Sequence, residues 1–155
     1  MDNTRWLDEQ EMAAWTGFLA ASNLLGRRVE QQLKDDADLS HPQYEILTRL
    51  SAAPCGELRM TELADALLTS KSGLTYQVTQ LEKSGMVRRR SFPGDVRGVV
   101  ACLTDEGWAK VRETAPGHVA LVRELLIDVL TREQLTAIAE GLGEVSRRLR
   151  ASTVR

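Results

Sequence analysis

Residues 61–90 read TELADALLTSKSGLTYQVTQLEKSGMVRRR, and this stretch contains two helical patterns separated by a very short gap. The first pattern, in MTELADALL, places Leu63, Ala64 and Leu67 on one face of a helix. The second begins directly after TSK, and a gap of this length leaves room only for a tight turn between two helices. The spacing therefore predicts a helix-turn-helix.

The second helix of this pair carries two different faces. On a wheel of about 100° per residue, Leu74, Val78 and Leu81 fall within a narrow arc, so we expect them to pack inward. The opposite face is polar and nearly uncharged: Ser72, Thr75, Tyr76, Thr79, Gln80 and Lys83. Hydroxyl and amide side chains suit hydrogen bonds to base edges in a major groove, whereas a solvated face usually alternates Glu with Lys. For this helix alone, the sequence does not decide between a face that contacts DNA and a face that is simply exposed to solvent.

The residues that follow favour DNA contact. MVRRRS, the turn-prone FPGDVRG and the β-branched VVACL predict a hairpin of two strands. Arg88, Arg89 and Arg90 alternate along the first strand, so they cannot all point into the core. Arg97 lies at the tip two residues after Asp95, and a carboxylate there can hold the guanidinium in a pose for a narrow minor groove. The alternative for this pair is a local ion pair of little energetic consequence.

The charge is distributed unevenly along the chain. The 155 residues carry a net charge of −2, yet residues 70–97 carry +4 and the remainder −6. A cationic segment on an acidic protein is expected where one face binds a polyanion. Apolar runs are only a few residues long, and the N-terminal MDNTRWLDEQ lacks the features of a secretion signal. We therefore expect a cytoplasmic protein that has no membrane partner.

Few residues could support catalysis or bind a metal. Cys55 and Cys102 have no CxxC spacing, and His41 and His118 are far apart in sequence. This pattern predicts no metal site, no cofactor and no enzymatic activity. The alternative to DNA regulation is a redox or small-molecule sensor that acts through a protein partner, and its redox form requires a reactive cysteine.

The rest of the chain is predicted to be helical. Three capping-box patterns mark helix starts: Asp8 with Glu11, Ser40 with Gln43, and Thr131 with Gln134. Thr104 is expected to cap a further helix, in which Pro116 and Gly117 predict a kink or a break. The predicted fold is therefore mainly α, with four helices, a small β-hairpin and two more helices.

The order TELADAL, SKSGLTYQVTQLEKSGMVRR and DVRGVVACLTDEG resembles the winged helix-turn-helix core of the MarR (multiple antibiotic resistance regulator) family. The most specific parts are the D-x-R-G hairpin tip and the L-T-x-x-G after the second strand. The resemblance covers residues 1–155 as a single unit. It implies a DNA-binding lobe at 42–104, in which the hairpin is the wing, and dimerisation helices at 8–35 and 105–151.

The resemblance also implies a function. The chain would be a homodimeric, sequence-specific repressor that binds a pseudo-palindromic operator in double-stranded DNA, with half-sites about 34 Å apart. A small phenolic or lipophilic effector would release it. The implied major-groove residues are Ser70, Lys71, Ser72, Thr75, Tyr76, Thr79, Gln80 and Lys83, and those of the wing are Arg88, Arg89, Arg90, Asp95 and Arg97. The implied residues of the effector pocket are Trp15, Phe18, His41 and Tyr44. The alternative is that these side chains are buried in an ordinary hydrophobic core.

The sequence departs from the family pattern at several positions. Arg59 stands where members often have a Ser or Thr cap, which predicts a weaker start for the third helix. Tyr76 and Gln80 stand where arginine is common, which lowers the phosphate affinity expected of the helix. We therefore expect a helix that contacts bases more than phosphates.

Overall fold

A computed structural model describes residues 4–92 and 94–153, with the backbone alone at residues 92, 95–97 and 153. These residues form six α-helices and three β-strands. The helices are α1 (Glu9–Ala37), α2 (His41–Ala52), α3 (Met60–Leu67), α4 (Lys71–Lys83), α5 (Asp105–Val122) and α6 (Arg132–Thr153), and the strands are β1 (Glu57–Arg59), β2 (Val87–Phe92) and β3 (Asp95–Leu103). The predicted class, mainly helical with a small antiparallel sheet, is confirmed.

Reciprocal side-chain caps begin three of these helices, as predicted. At α1, the Asp8 carboxylate accepts from the Glu11 N–H at 2.8 Å, and the Glu11 carboxylate accepts from the Asp8 N–H at 3.0 Å. The same two bonds join Ser40 to Gln43 and Thr131 to Gln134. At α3, the Glu62 carboxylate accepts from the Arg59 N–H at 3.0 Å. This is the one hydrogen bond of a capping box that needs only the backbone of the cap residue, so Glu62 can form it with arginine at position 59.

The sheet has one more strand than the sequence predicts. Its order is β1-β3-β2 and both pairs are antiparallel, with Glu57 opposite Cys102 and Arg90 opposite Val100. The predicted hairpin corresponds to β2 and β3. Strand β1 spans only three residues, which is too short for an alternating pattern to be recognised in sequence.

The hydrophobic core lies beneath α4. Leu74, Val78 and Leu81 are at most 2% exposed, as predicted from the wheel. They are buried together with side chains of the neighbouring elements: Leu33, Ile46, Leu47, Leu50, Leu63, Val87, Val100 and Ala101. Because α4 contacts α2, α3 and β2 on this side, its polar face is directed outward.

The L-T-x-x-G motif fastens the start of α5 to the turn that follows α4. The Thr104 hydroxyl donates to the Gly85 carbonyl at 2.6 Å and accepts from the Gly107 N–H at 3.1 Å. The Thr104 N–H donates to the Met86 carbonyl at 3.1 Å. A Cβ at position 107 would lie 2.1 Å from that carbonyl oxygen, so only glycine allows this approach.

Of the kink or break predicted at Pro116, the break does not occur. Helix α5 continues through Pro116 to Val122, and a π-helical turn follows at Arg123–Ile127. Thr114 and His118, on either side of Pro116, pack inward, with the His118 ring 4.8 Å from that of Tyr44 in α2. This packing outweighs the local preference of proline to end a helix.

The chain divides into two compact units. The first runs to His118 and contains the sheet, α1 to α4 and most of α5. The second begins at Val119 and contains the end of α5, the π-helical turn and α6. Among the described residues, no helix has the length and apolarity needed to cross a membrane.

Candidate nucleic-acid interface

The turn between α3 and α4 is three residues long. Leu68 ends α3 in the left-handed conformation, with φ of 54°. Ser70 then caps α4, since its hydroxyl accepts from the Gly73 N–H at 3.1 Å. This geometry is the helix-turn-helix predicted from the sequence, and it makes α4 the helix available to enter a groove.

The predicted contact residues of α4 lie on its outer face. The exposed ones are Ser70, Lys71, Ser72, Thr75, Tyr76 and Lys83, and the half-buried ones are Thr79 and Gln80. Tyr76 is 62% exposed, a high value for an aromatic side chain on a folded domain. The face thus combines hydroxyl, amide and phenol groups with a cation in its first turn and another in its last.

The threonine hydroxyls of this face already donate hydrogen bonds to the helix. Thr75 donates to the Lys71 carbonyl at 2.8 Å, and Thr79 donates to the Thr75 carbonyl at 2.7 Å. Because a hydroxyl has one hydrogen, these oxygens can offer only lone pairs to a further partner. In a major groove such oxygens would accept from the amino groups of adenine or cytosine.

The three arginines of β2 have different environments. Arg88 is exposed. Arg89 is paired with Glu82 of α4, with a shortest N–O distance of 2.7 Å, and Arg90 is paired with Glu57 of β1 at 2.7 Å. Hydrogen bonds from these guanidinium groups hold the pKa of both carboxyls below the ordinary value. All three arginines were predicted to contact DNA; Arg88 is exposed, whereas Arg89 and Arg90 are each paired with a carboxylate.

The carboxylate partners of these arginines were not recognised in the sequence. Glu82 precedes Arg89 by seven residues but lies on α4, whereas Arg89 lies on β2, so no single helical or strand period relates the two in the sequence. Glu57 lies on the unpredicted strand β1. The side chains of Asp95 and Arg97 lie outside the described part of the wing, so their ion pair and the minor-groove contact stay predictions.

An open depression of about 360 Å³ lies between the start of α3, the start of α4 and the wing. Its polar lining consists of Arg59, Thr61, Lys71, Thr75 and Arg89. The sequence indicated Arg59 only as a helix cap and did not indicate Thr61. Lys71 and the Thr61 hydroxyl can donate to a phosphate oxygen here, whereas the Arg89 guanidinium and the Thr75 hydroxyl already donate within the lobe.

The four residues expected to line an effector pocket form two groups. Trp15 and Phe18 stack on each other along α1, with ring centroids 6.4 Å apart, and both are about half exposed. The backbone N–H of His41 donates to Glu30, which is twelve residues beyond Phe18 and roughly 18 Å farther along the helix. The structure of the single chain therefore does not bring Trp15 and Phe18 to His41 and Tyr44.

Tyr44 belongs to a buried polar cluster where α1, α2 and α5 meet. Its ring packs against His118, which is one helical turn from Thr114, and a Cβ at Gly117 would lie 3.4 Å from the Gln32 amide nitrogen. Three buried atoms here have no hydrogen-bond partner among the described residues: Gln32 Oε1, Thr114 Oγ1 and His118 Nδ1. Unpartnered buried polar atoms are costly and indicate a place where a missing molecule could bind.

The cysteines lend little support to a redox role. Cys102 is buried on β3, and its thiol lies 3.4 Å from a Glu57 carboxylate oxygen. Burial raises the pKa of this thiol, which disfavours the reactive thiolate. Cys55 is exposed in the turn before β1. Within the described residues, no group of three potential metal ligands is assembled.

Known proteins similar to this chain are transcriptional regulators. A family model described as the MarR family matches residues 39–99. The HTH-type transcriptional regulator PecS of Dickeya dadantii is 31% identical over 135 residues, which cover 86% of this chain and 80% of PecS.

Two crystal structures from Streptomyces coelicolor are similar over nearly the whole chain. AbsC, a MarR family transcriptional regulator, has a TM-score of 0.92 and 39% identity, covering 96% of this chain and 99% of AbsC. Sco3205, a MarR family transcriptional regulator solved in complex with DNA, has a TM-score of 0.92 and 42% identity, covering 96% of this chain and 93% of Sco3205. Together with the helix-turn-helix and the wing, these similarities show that the chain belongs to the MarR family of DNA-binding transcriptional regulators and is not an enzyme.

Proposed function

We propose that this chain is a homodimeric repressor that binds a pseudo-palindromic operator and is released by a small effector. The outward polar face of α4, next to the exposed Arg88 and the wing, is the observation that carries the proposal. Sco3205, which is 42% identical to this chain, was solved in complex with DNA, and this supports DNA binding by the present chain. A cytoplasmic location goes with the proposal, because the operator would be chromosomal DNA.

In the proposed complex, α4 enters the major groove and the wing reaches the adjacent minor groove. The major-groove contacts are Ser70, Lys71, Ser72, Thr75, Tyr76, Thr79, Gln80 and Lys83. Arg88 contacts a phosphate, and Arg97, held by Asp95, enters the minor groove. Arg89 and Arg90 are left out of this contact set because each is paired with a carboxylate within the lobe.

The proposed dimer is supported by apolar side chains that the single chain leaves exposed. On α1 these include Met12, Trp15, Phe18 and Leu24, each at least 46% exposed. On α6, Ile138, Leu142, Val145 and Leu149 form one face and are 39–63% exposed. Apolar faces of this extent are typical of surfaces that a partner covers. A second copy of the chain would cover them and place two α4 helices on successive turns of DNA.

The DNA-binding part of the proposal is tested by a gel shift on the promoter region of the chain's own gene. Binding should weaken steeply as salt rises, because phosphate contacts release counterions. Arg97→Ala should weaken binding about tenfold without changing the unfolding temperature. Arg112→Ala removes an exposed arginine outside the proposed contact set and should leave the affinity unchanged. Equal affinities for Arg97→Ala and the wild type would remove the wing tip from the interface.

The effector is proposed to bind at the buried polar cluster next to Tyr44, with His41 at its edge. The free lone pairs of Gln32 and the unpartnered groups of Thr114 and His118 would hydrogen-bond the polar end of a phenol, and the Tyr44 ring would pack on its apolar body. A panel of phenols and aromatic acids is screened for release of bound DNA and for a rise in unfolding temperature. Thr114→Val should lose both responses while it still binds DNA. If the compound releases Thr114→Val from DNA at the same concentration that releases the wild type, the effector binds elsewhere.

A further inference from the structure

Arg89 joins the wing to α4 through a dense set of hydrogen bonds. Its Nε and Nη2 donate to Glu82 Oε2 at 3.0 and 2.7 Å, and its backbone N–H donates to Glu82 Oε1 at 2.9 Å. Its Nη2 also donates to the Thr79 hydroxyl oxygen at 3.2 Å. Both carboxylate oxygens of Glu82 are thus bound to a single residue of β2, which fixes the last turns of α4 against the strand.

The charge of Arg89 is already used within the lobe. The Arg89 and Glu82 side chains are 30% and 29% exposed, so both ends of the ion pair are largely withdrawn from solvent. The pairing raises the pKa of Arg89 and lowers that of Glu82, which shows that each group stabilises the charge of the other. To bind a phosphate, Arg89 would have to leave this carboxylate, which would then be partly buried without a partner.

Thr79 connects the ion pair to the outer face of α4. Its hydroxyl donates to the Thr75 carbonyl at 2.7 Å and accepts from Arg89 at 3.2 Å. The hydroxyl is therefore fixed in orientation, with one lone pair left over. That lone pair could accept from an adenine or cytosine amino group only while Arg89 holds α4 and Thr79 in place.

We infer that Arg89 and Glu82 are positioning residues that set the pose of α4 relative to the wing, and that they determine sequence discrimination without contacting DNA. This inference rests on the DNA-binding function proposed above. In this role Arg89 does not contact a phosphate. The two roles predict a different salt dependence of the DNA affinity. A phosphate contact contributes about one unit to the slope of log K against log salt, whereas a positioning residue contributes none.

Arg90 provides the matched control on the same strand. It also donates two hydrogen bonds to one carboxylate, that of Glu57 at 2.7 and 2.8 Å, and its side chain is 38% exposed. Its partner lies on β1, not on α4. Loss of the Arg90 pair therefore disturbs the sheet to a similar degree and leaves the contact between α4 and β2 intact.

The test measures affinity for two duplexes across a salt series. One duplex is enriched by the wild-type protein from a random-sequence library, and the other is a scrambled duplex of the same composition. The proteins are the wild type, Arg89→Lys, Glu82→Gln and Arg90→Lys, each checked for folding by its thermal unfolding. Lysine keeps the charge but cannot reproduce the planar, multidentate hydrogen bonding of arginine.

Arg89→Lys and Glu82→Gln should each reduce the ratio of the two affinities about tenfold or more, with the salt slope unchanged. Arg90→Lys should keep the wild-type ratio. The inference is overturned if Arg89→Lys keeps the wild-type ratio, or if Glu82→Gln binds scrambled DNA more tightly with a steeper slope, which would reveal Arg89 as a phosphate contact. An equal loss in Arg90→Lys would also overturn it. If the wild type does not distinguish the two duplexes, the proposed function itself fails, whatever the variants do.

Discussion

His118 is a half-buried imidazole on α5. Its ring lies 4.8 Å from that of Tyr44. Burial, with a smaller contribution from His41, lowers the pKa of His118 below its ordinary value of 6.5. The unfolded chain therefore takes up this proton at a higher pH than the folded chain does. The contribution of His118 to stability is complete above about pH 6.5 and is lost as the pH falls below it.

Urea unfolding as a function of pH measures this effect. The wild type should lose unfolding free energy between about pH 7 and pH 5, and His118→Gln should show a flatter profile over that range. His41→Gln is the control, because the His41 side chain is 40% exposed and should leave most of the dependence in place. A profile for His118→Gln that is as steep as that of the wild type would contradict this origin of the pH dependence.

The sequence predicted which residues share a face, but not which charges are neutralised. Leu74, Val78 and Leu81 are buried as the helical period requires. Arg89 and Arg90 were expected to contact DNA, and the sequence did not reveal that both pair with carboxylates that lie close only after folding. Periodicity follows from backbone geometry, whereas ion pairing between elements depends on tertiary structure.

The connection between the sheet and α5 depends on one close approach. At Gly107, a Cβ would lie 2.1 Å from the Met86 carbonyl oxygen and 2.8 Å from a Leu103 methyl group. The first neighbour is backbone and cannot move without disturbing the turn after α4. Gly107→Ala should therefore lower the free energy of unfolding by about 1–3 kcal/mol in chemical denaturation.

Gly141 in α6 is the matched control for this substitution. A Cβ there meets nothing within 4 Å in the chain, so Gly141→Ala should gain about 0.5–1 kcal/mol from lower backbone entropy in the unfolded state. Stabilisation by both alanine substitutions would show that α5 does not require the close approach at Gly107.

At the scale of elements, most helix starts could be predicted and the short or packed elements could not. Capping boxes depend on neighbouring residues, and all three that were predicted are formed. Strand β1 is too short to show a pattern. The continuity of α5 through Pro116 depends on packing of its inner face, which a local rule cannot include.

At the scale of the whole molecule, the exposed apolar face of α6 is the feature that a single chain does not explain. Leu142 and Leu149 are 41% and 63% exposed on that face. Replacing both with aspartate should convert the proposed dimer to a monomer in sedimentation velocity, because a two-fold interface would contain each substitution twice. Glu140 lies on the opposite side of α6, so Glu140→Lys should stay dimeric. A wild-type chain that sediments as a monomer would contradict the proposed dimer.

The family could be recognised from the sequence because its motifs have structural causes. The glycine of L-T-x-x-G permits the approach to Met86, and the short gap after α3 fixes the helix-turn-helix. The effector residues stay a prediction, and within the chain Trp15 and Phe18 lie roughly 18 Å or more along α1 from the contact with His41. Aromatic residues at helical spacing indicate an apolar face, but they do not show what covers it.

Selection of DNA from a random-sequence duplex library by the full-length protein tests the central claim most directly. A dimer that places two α4 helices in successive major grooves predicts an enriched sequence of two half-sites related by a dyad, with centres about 10 base pairs apart. No enrichment over the starting library, or a single unrepeated site, would contradict sequence-specific binding by two symmetric lobes.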